Sequence, residues 1–91
     1  MNAMAVMSAL AQPTRFQVFT MLARAGDEGM SSGDLAVRTA AAANTMSSHL
    51  AILNRAGLVT AEKAGRNIVY RAVPETVRTL AAFLIEQCRE Q

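Results

Sequence analysis

The sequence has one cysteine and one histidine, and this scarcity excludes much of catalytic and metal chemistry. Cys88 cannot form a disulfide within the chain, and Cys88 with His49 is too small a set for a zinc site. Ser48 precedes His49 directly, but neighbours in a helix point about 100° apart, and no acidic residue stands where it could orient the ring. The sequence therefore predicts no enzyme, no bound metal and no cofactor.

Long apolar runs and a basic start are also missing. No apolar run approaches the roughly 18 residues that span a bilayer. Residues 1–11 carry no charge, whereas a secretory signal opens with positive charge. We therefore expect a cytoplasmic chain without membrane contact, whose first residues belong to the fold as a helix.

Charged residues are few for so small a chain: of 91 residues, 52% are hydrophobic and 18% are charged. A chain of this length buries somewhat over ~60% of its unfolded surface, so a second copy is needed to cover the apolar excess. We expect one domain over residues 1–91 whose terminal helices form a homodimer interface. The predicted interface residues are Met4, Met7, Leu10, Leu80, Leu84 and Cys88. Cys88 is predicted to pack there as a small hydrophobe, with a redox or metalloid sensor as the alternative.

Helix and turn signals predict a mainly α fold with a small β-hairpin wing, in the order α-α-α-α-β-β-α. A short extra strand near Met30 is expected to pair with the wing. Ser31 and Asp34 form a start signal for the third helix. The other predicted elements are a helix in 1–11, one from Pro13 to about Ala25 with Phe16, Phe19 and Leu22 inward, a helix over 43–56, strands over 58–63 and 68–72 with Gly65 and Asn67 at the turn, and a helix from Pro74.

The segment between the third and fourth helices does not look like a turn. Thr39 is followed by four alanines, which favour a helix, and the run contains no Gly, Pro or polar cap. The third and fourth helices can pack against each other only if the chain turns here. We therefore expect tertiary packing to impose it.

Residues 43–59 are the most informative stretch. Met46, Leu50 and Leu53 share one helical stripe, while uncharged polar residues gather at the start of the helix. Short donors and acceptors of this kind suit the reading of base edges in a DNA groove. Predicted base contacts are Asn44, Thr45 and Ser48, and predicted phosphate contacts are Ser47 and His49. An ordinary solvated helix face is the alternative for the helix, and a half-buried structural role is the alternative for His49.

Positive charge is concentrated in the same region. Residues 44–71 hold four basic residues against the single acid Glu62, although the net charge of the whole chain is only +2. An arginine at a hairpin tip suits a minor groove or its phosphates, whereas charge on an edge strand can also serve to suppress aggregation. The basic and amide residues predicted to contact DNA are Arg55, Lys63, Arg66, Asn67 and Arg71.

Three segments resemble the arsenic-repressor-type (ArsR) family of winged helix-turn-helix regulators. "QPTRFQVFTML" is similar to the family's Pro-Thr-Arg helix opening, "TMSSHLAILNRAGLV" to its recognition helix, and "EKAGRNIVYRA" to its wing. The resemblance covers essentially the whole chain. It implies a homodimer that represses transcription by occupying an operator and that an inducer releases.

The chain departs from the family at the positions where many members hold a metal. Residues 30–35, which match the family's Cys-x-Cys segment, contain no thiol, and residues 74–91 contain no His or Asp. The family often has a polar cap where this chain has Ala42, and a basic residue near Ser48. Metal sensing is therefore not expected, and the effector stays unknown.

The sequence thus predicts a homodimeric regulator of transcription that reads an inverted repeat in double-stranded DNA. The helix at 43–56 and the wing at 62–71 would make the contacts, and repression is favoured over activation. A winged-helix module that binds protein without binding DNA is the alternative.

Overall fold

The computed structural model describes residues 1–89, and its elements follow the predicted order. The extra strand near Met30 is present. In chain order the elements are α1 (Ala3–Leu10), α2 (Pro13–Ala25), a 3-10 turn (Gly26–Glu28), β1 (Met30–Ser31), α3 (Ser32–Thr39), α4 (Ala43–Arg55), β2 (Val59–Ala64), β3 (Asn67–Ala72) and α5 (Pro74–Gln87).

Side-chain caps set the starts of α2 and α3. Gln12 Oε1 accepts a hydrogen bond of 2.8 Å from the Arg15 backbone N–H, and Pro13 occupies the first helical position of α2. Ser31 Oγ accepts a bond of 3.1 Å from the Asp34 N–H at the start of α3. Both starts are therefore local properties of the sequence.

The wing is a three-stranded antiparallel sheet in the order β1-β3-β2. Met30 pairs with Tyr70, and Ala64 pairs with Asn67 across the tip of the hairpin. Asn67 therefore begins β3, whereas the sequence had predicted it in the turn. Gly65 supplies the positive φ of +63° that a two-residue hairpin turn requires.

The core is formed by one face of each helix and the base of the wing. The predicted stripe of α4 is confirmed, since Met46, Leu50 and Leu53 are at most 1% exposed. The remaining core residues are Val6, Ala9, Val18, Phe19, Leu22, Leu35, Ala36, Leu58, Val59 and Leu80.

Two expectations about burial were wrong. Phe16 was predicted to face inward but is 55% exposed. The buried face of α2 is centred on Val18 and Leu22, and a residue two positions before Val18 points to the opposite side of the helix. Leu80 was assigned to the dimer interface but is only 7% exposed, because α5 packs it into the core of its own chain.

The alanine run does contain a turn, and it is built on a left-handed alanine. Ala40 has φ 57° and ψ 27°. The Ala41 N–H donates to the Ala36 carbonyl at 3.1 Å, and the Ala40 N–H donates to Val37 at 3.3 Å. These two bonds form a Schellman motif, which usually has glycine at the left-handed position. Backbone hydrogen bonding and packing thus impose the turn on helix-forming residues.

Ala40→Gly is expected to stabilise the protein by about 1 kcal/mol, because glycine adopts the left-handed conformation without the steric cost of Cβ. Urea unfolding followed by circular dichroism measures this change. Ala51→Gly is the matched control: Ala51 is exposed in the interior of α4, where glycine is less favourable than alanine by roughly 0.5–1 kcal/mol, so this variant should destabilise. A loss of stability in Ala40→Gly would contradict the prediction.

Candidate nucleic-acid interface

The polar side of α4 is exposed along its length. Burial of its apolar stripe turns Asn44, Thr45, Ser47 and Ser48 towards solvent, and Arg55 is exposed at the C-terminal end of the helix. These five residues, which the sequence predicted as DNA contacts, are therefore accessible from solvent.

Hydrogen bonds within α4 orient the small polar side chains. Ser47 Oγ donates to the Ala43 carbonyl at 3.2 Å, and Ser48 Oγ donates to the Asn44 carbonyl at 3.3 Å. Asn44 Oδ1 accepts from the Thr45 N–H at 2.9 Å, which helps at a helix start where Ala42 has no side chain able to cap. In this arrangement Ser47 can donate to a phosphate only by giving up its bond to Ala43.

The wing and α4 border a common groove of about 340 Å³. Its walls include Ser31 and Gly33 at the start of α3, Ser47 from α4, and Arg66 and Asn67 from the hairpin tip. The first N–H groups of a helix and an arginine both favour anions. The structure therefore brings α4 and the hairpin tip together on one side of the molecule.

The predicted basic residues of the wing differ in their partners. Lys63 and Arg66 are exposed. Arg71 Nη1 donates to Glu62 Oε1 at 2.7 Å, and its Nε donates to the Asp27 carbonyl, also at 2.7 Å. This pair of bonds ties the 3-10 turn to the wing and balances the charge of Glu62. Two donor groups of Arg71 are therefore used within the chain, and its predicted contact with DNA stays a prediction.

His49 lies at the edge of the polar side of α4, where it is half-buried. Its Nδ1 is 3.4 Å from Nη1 of Arg15, a residue that the sequence indicates only as part of the Pro-Thr-Arg segment. Burial, and next the charge of Arg15, lower the pKa of His49 from its ordinary value. The folded protein therefore favours the neutral ring. As the pH decreases from the pKa of His49 in the unfolded chain to its lower pKa in the folded protein, the free energy of unfolding falls.

The terminal helices expose apolar side chains. Met4 is 71% exposed on α1, and Leu84 and Ile85 are 40% and 66% exposed on α5. Met7 and Leu10 are half-buried, and Cys88 is exposed. Among the residues that the structure describes, nothing covers Met4, Leu84, Ile85 or Cys88, whereas Met7 and Leu10 pack partly against the core.

Residues 1–89 show no sign of two other kinds of site. Within this part of the chain, no three His, Cys, Asp or Glu side chains converge closely enough to hold a metal ion. Nor is any described helix both long and apolar enough to cross a membrane.

The helix pair α3–α4, with its three-stranded wing, defines a winged helix-turn-helix fold. Residues 10–62 match the sequence family described as a helix-turn-helix domain. The chain is 32% identical over 83 residues to the HTH-type transcriptional regulator YgaV of Escherichia coli K12, covering 91% of this chain and 82% of that protein.

Solved structures agree with this class. An ArsR-like transcriptional regulator from Rhodococcus sp. RHA1 is 33% identical, with a TM-score of 0.87 over 97% of this chain and 80% of that one. The homodimeric winged helix-turn-helix domain Mb0332 from Mycobacterium bovis, a possible ArsR-family regulator, is 27% identical, with a TM-score of 0.74 over 92% and 76% of the two chains. The chain belongs to the ArsR family of winged helix-turn-helix transcriptional regulators.

Proposed function

We propose that this regulator is a homodimeric repressor that reads an inverted repeat with α4 and the hairpin tip of each subunit. The observation that carries the proposal is the shared groove, in which Ser47 of α4 faces the same space as Arg66 and Asn67 of the wing. A helix in the major groove and a basic hairpin on the flanking backbone need this geometry.

The proposed division of labour follows from length and charge. Arg66 and Lys63 are exposed cations and would neutralise phosphates. Asn44, Thr45 and Ser48 are short and uncharged, and would reach base edges directly or through water. Ser47 and His49 would contact phosphates beside them, and Arg55 would do so from the end of α4.

Dimerisation is supported by the apolar surface that α1 and α5 leave exposed. Met4 and Leu84 belong to this surface, and Met7, Leu10 and Cys88 adjoin it. The similar domain from Mycobacterium bovis is a homodimer, which is consistent with this proposal. Two recognition helices entering successive major grooves would place half-site centres about 34–36 Å apart.

Salt dependence tests DNA binding itself. Affinity for a random-sequence duplex between about 50 and 200 mM salt should fall steeply, because phosphate contacts release counterions. A protein-binding module would show no such dependence. A footprint on the DNA upstream of the protein's own gene then tests sequence specificity.

Arg66→Ala is expected to weaken binding to most sequences by about tenfold and to flatten the salt dependence. Each subunit would neutralise one phosphate fewer, which lowers the slope of log affinity against log salt by about 1.8 for the dimer. Arg24→Ala is the matched control, since it removes the same charge from an exposed residue at the end of α2.

Asn44→Ala and Ser48→Ala should instead change base preference and leave the salt slope unaltered. A selection of binding sites from random DNA measures this preference. Equal losses of specificity in Arg66→Ala and in these two variants would contradict the proposed roles.

A further inference from the structure

Arg15 holds the C-terminal end of α1. Its Nε donates to the Ala9 carbonyl at 2.8 Å, and its Nη2 donates to the Ser8 carbonyl at 3.4 Å. The last carbonyls of a helix lack partners within the helix, and its dipole favours a cation there. The guanidinium therefore stabilises the end of α1, and the same bonds hold the Arg15 side chain in one position.

The same guanidinium reaches the recognition helix. Arg15 Nη1 donates to His49 Nδ1 at 3.4 Å, a contact between residues 34 positions apart. A guanidinium can only donate, so Nδ1 must accept. The neutral imidazole then carries its proton on Nε2, and this N–H is a donor that the Arg15 contact leaves unused.

The charged surroundings of His49 single out Arg15. The elements packed against α4 are α1, α2, α3 and β2. No charged side chain belongs to α1, and Arg15 is the charged residue at the near end of α2. The charged residues of the other two elements are Asp34 and Arg38 on α3, and Glu62 and Lys63 on β2. Burial is the largest cause of the lowered pKa of His49. Of these charged groups, Arg15 is the one that lowers the pKa further.

We propose that Arg15 is a positioning residue for DNA binding: it fixes neutral His49 with its Nε2–H free to donate to a phosphate, and it links α1 to the recognition helix. The inference rests on the proposed function. Because α1 also carries part of the proposed dimer face, the guanidinium of Arg15 connects the proposed dimer interface to a proposed DNA contact.

The tautomer and pKa of His49 test the contact itself. Nitrogen-15 NMR of the wild-type protein should show the Nε2–H tautomer. Arg15→Met keeps an apolar stem but loses the donor and the charge, so the pKa of His49 should rise towards its ordinary value. A wild-type Nδ1–H tautomer, or an unchanged pKa in a folded variant, would overturn the inference. If Arg15→Met does not fold, the pKa of His49 is measured in Arg15→Gln, which also lacks the charge and should show the same rise.

A double-mutant cycle tests the consequence for DNA. Affinity for a random-sequence duplex should fall about tenfold in Arg15→Met and in His49→Ala, and the double variant should lose no more than His49→Ala. The salt slope should be unchanged throughout, because a neutral donor releases no counterion. Additive losses, or a slope reduced by about 0.9 per subunit in Arg15→Met, would overturn the proposal by showing that Arg15 acts independently of His49.

The same measurements separate this inference from the proposed function. A wild-type protein without salt-dependent duplex binding would overturn the proposed function, and with it the role of Arg15 in DNA binding. Wild-type binding that Arg15→Met leaves intact would overturn the inference alone.

Discussion

Gly29→Ala is expected to destabilise the fold by at least about 3 kcal/mol. Gly29 has φ 64° and ψ −170°, a region that residues with a side chain almost never occupy, at a cost of about 1–3 kcal/mol. A Cβ atom would also lie 2.5 Å from the Tyr70 carbonyl oxygen and 2.7 Å from Val69 Cγ1. The carbonyl belongs to the central strand β3, so it cannot move away without disturbing the pairing of Met30 with Tyr70.

Gly26 provides the matched control for this prediction. It has a similar backbone conformation, with φ 61° and ψ −139°, but no atom lies within 4 Å of the position of a Cβ. Gly26→Ala should therefore lose only the backbone contribution, about 1–3 kcal/mol. Urea unfolding of both variants compares the two. If both variants lost the same free energy of unfolding, the close approach of Gly29 to β3 would not contribute to the loss.

Leu84→Glu is expected to yield a monomer whose affinity for an inverted repeat is at least about 100-fold weaker. Leu84 is 40% exposed in one chain, so the subunit should still fold. In a dimer the substitution would bury a carboxylate in an apolar surface, which is unfavourable without a paired charge. Once the subunits separate, the second half-site is no longer bound within one complex, and avidity of about 10²–10⁴ is typically lost.

Sedimentation velocity and titration with operator DNA measure the two effects of Leu84→Glu. Val37→Glu is the control for the oligomeric state, because Val37 is apolar and 82% exposed but lies on α3. A Leu84→Glu protein that sediments as a dimer, or a wild-type protein that sediments as a monomer, would contradict the proposed interface.

The elements that the sequence predicted best are those fixed by neighbouring residues. Met46, Leu50 and Leu53 recur at helical spacing and are buried as expected. Ser31 caps α3 through the N–H of Asp34, three residues away. Such features depend on helical periodicity and on bonds within one turn, which can be read directly from the chain.

The features that the sequence did not predict depend on distant partners. Phe16 shares helical spacing with Phe19, but the packing of α2 against other elements decides which face is buried. The left-handed conformation of Ala40 goes against the preference of alanine and results from the turn that joins two packed helices.

For the candidate site, the exposed polar surface of α4 was predictable, but the partners of its neighbours were not. Arg71 bonds to the carbonyl of Asp27, 44 residues away, and the Arg15–His49 contact spans 34 residues. Neither contact leaves a local pattern in the sequence. The prediction that Arg71 contacts DNA was thus made from its charge, without knowledge of these partners.

Ser47 and Ser48 donate their hydroxyl protons to backbone carbonyls within α4, and this limits the bases that the helix could favour. With their protons directed at the Ala43 and Asn44 carbonyls, Ser47 and Ser48 present lone pairs outwards. In the major groove the exocyclic amines of adenine and cytosine are the groups that donate to such acceptors. If α4 enters the groove in this state, Ser48, the serine proposed to face base edges, would favour amine-bearing bases and would tolerate an exchange of adenine for cytosine there.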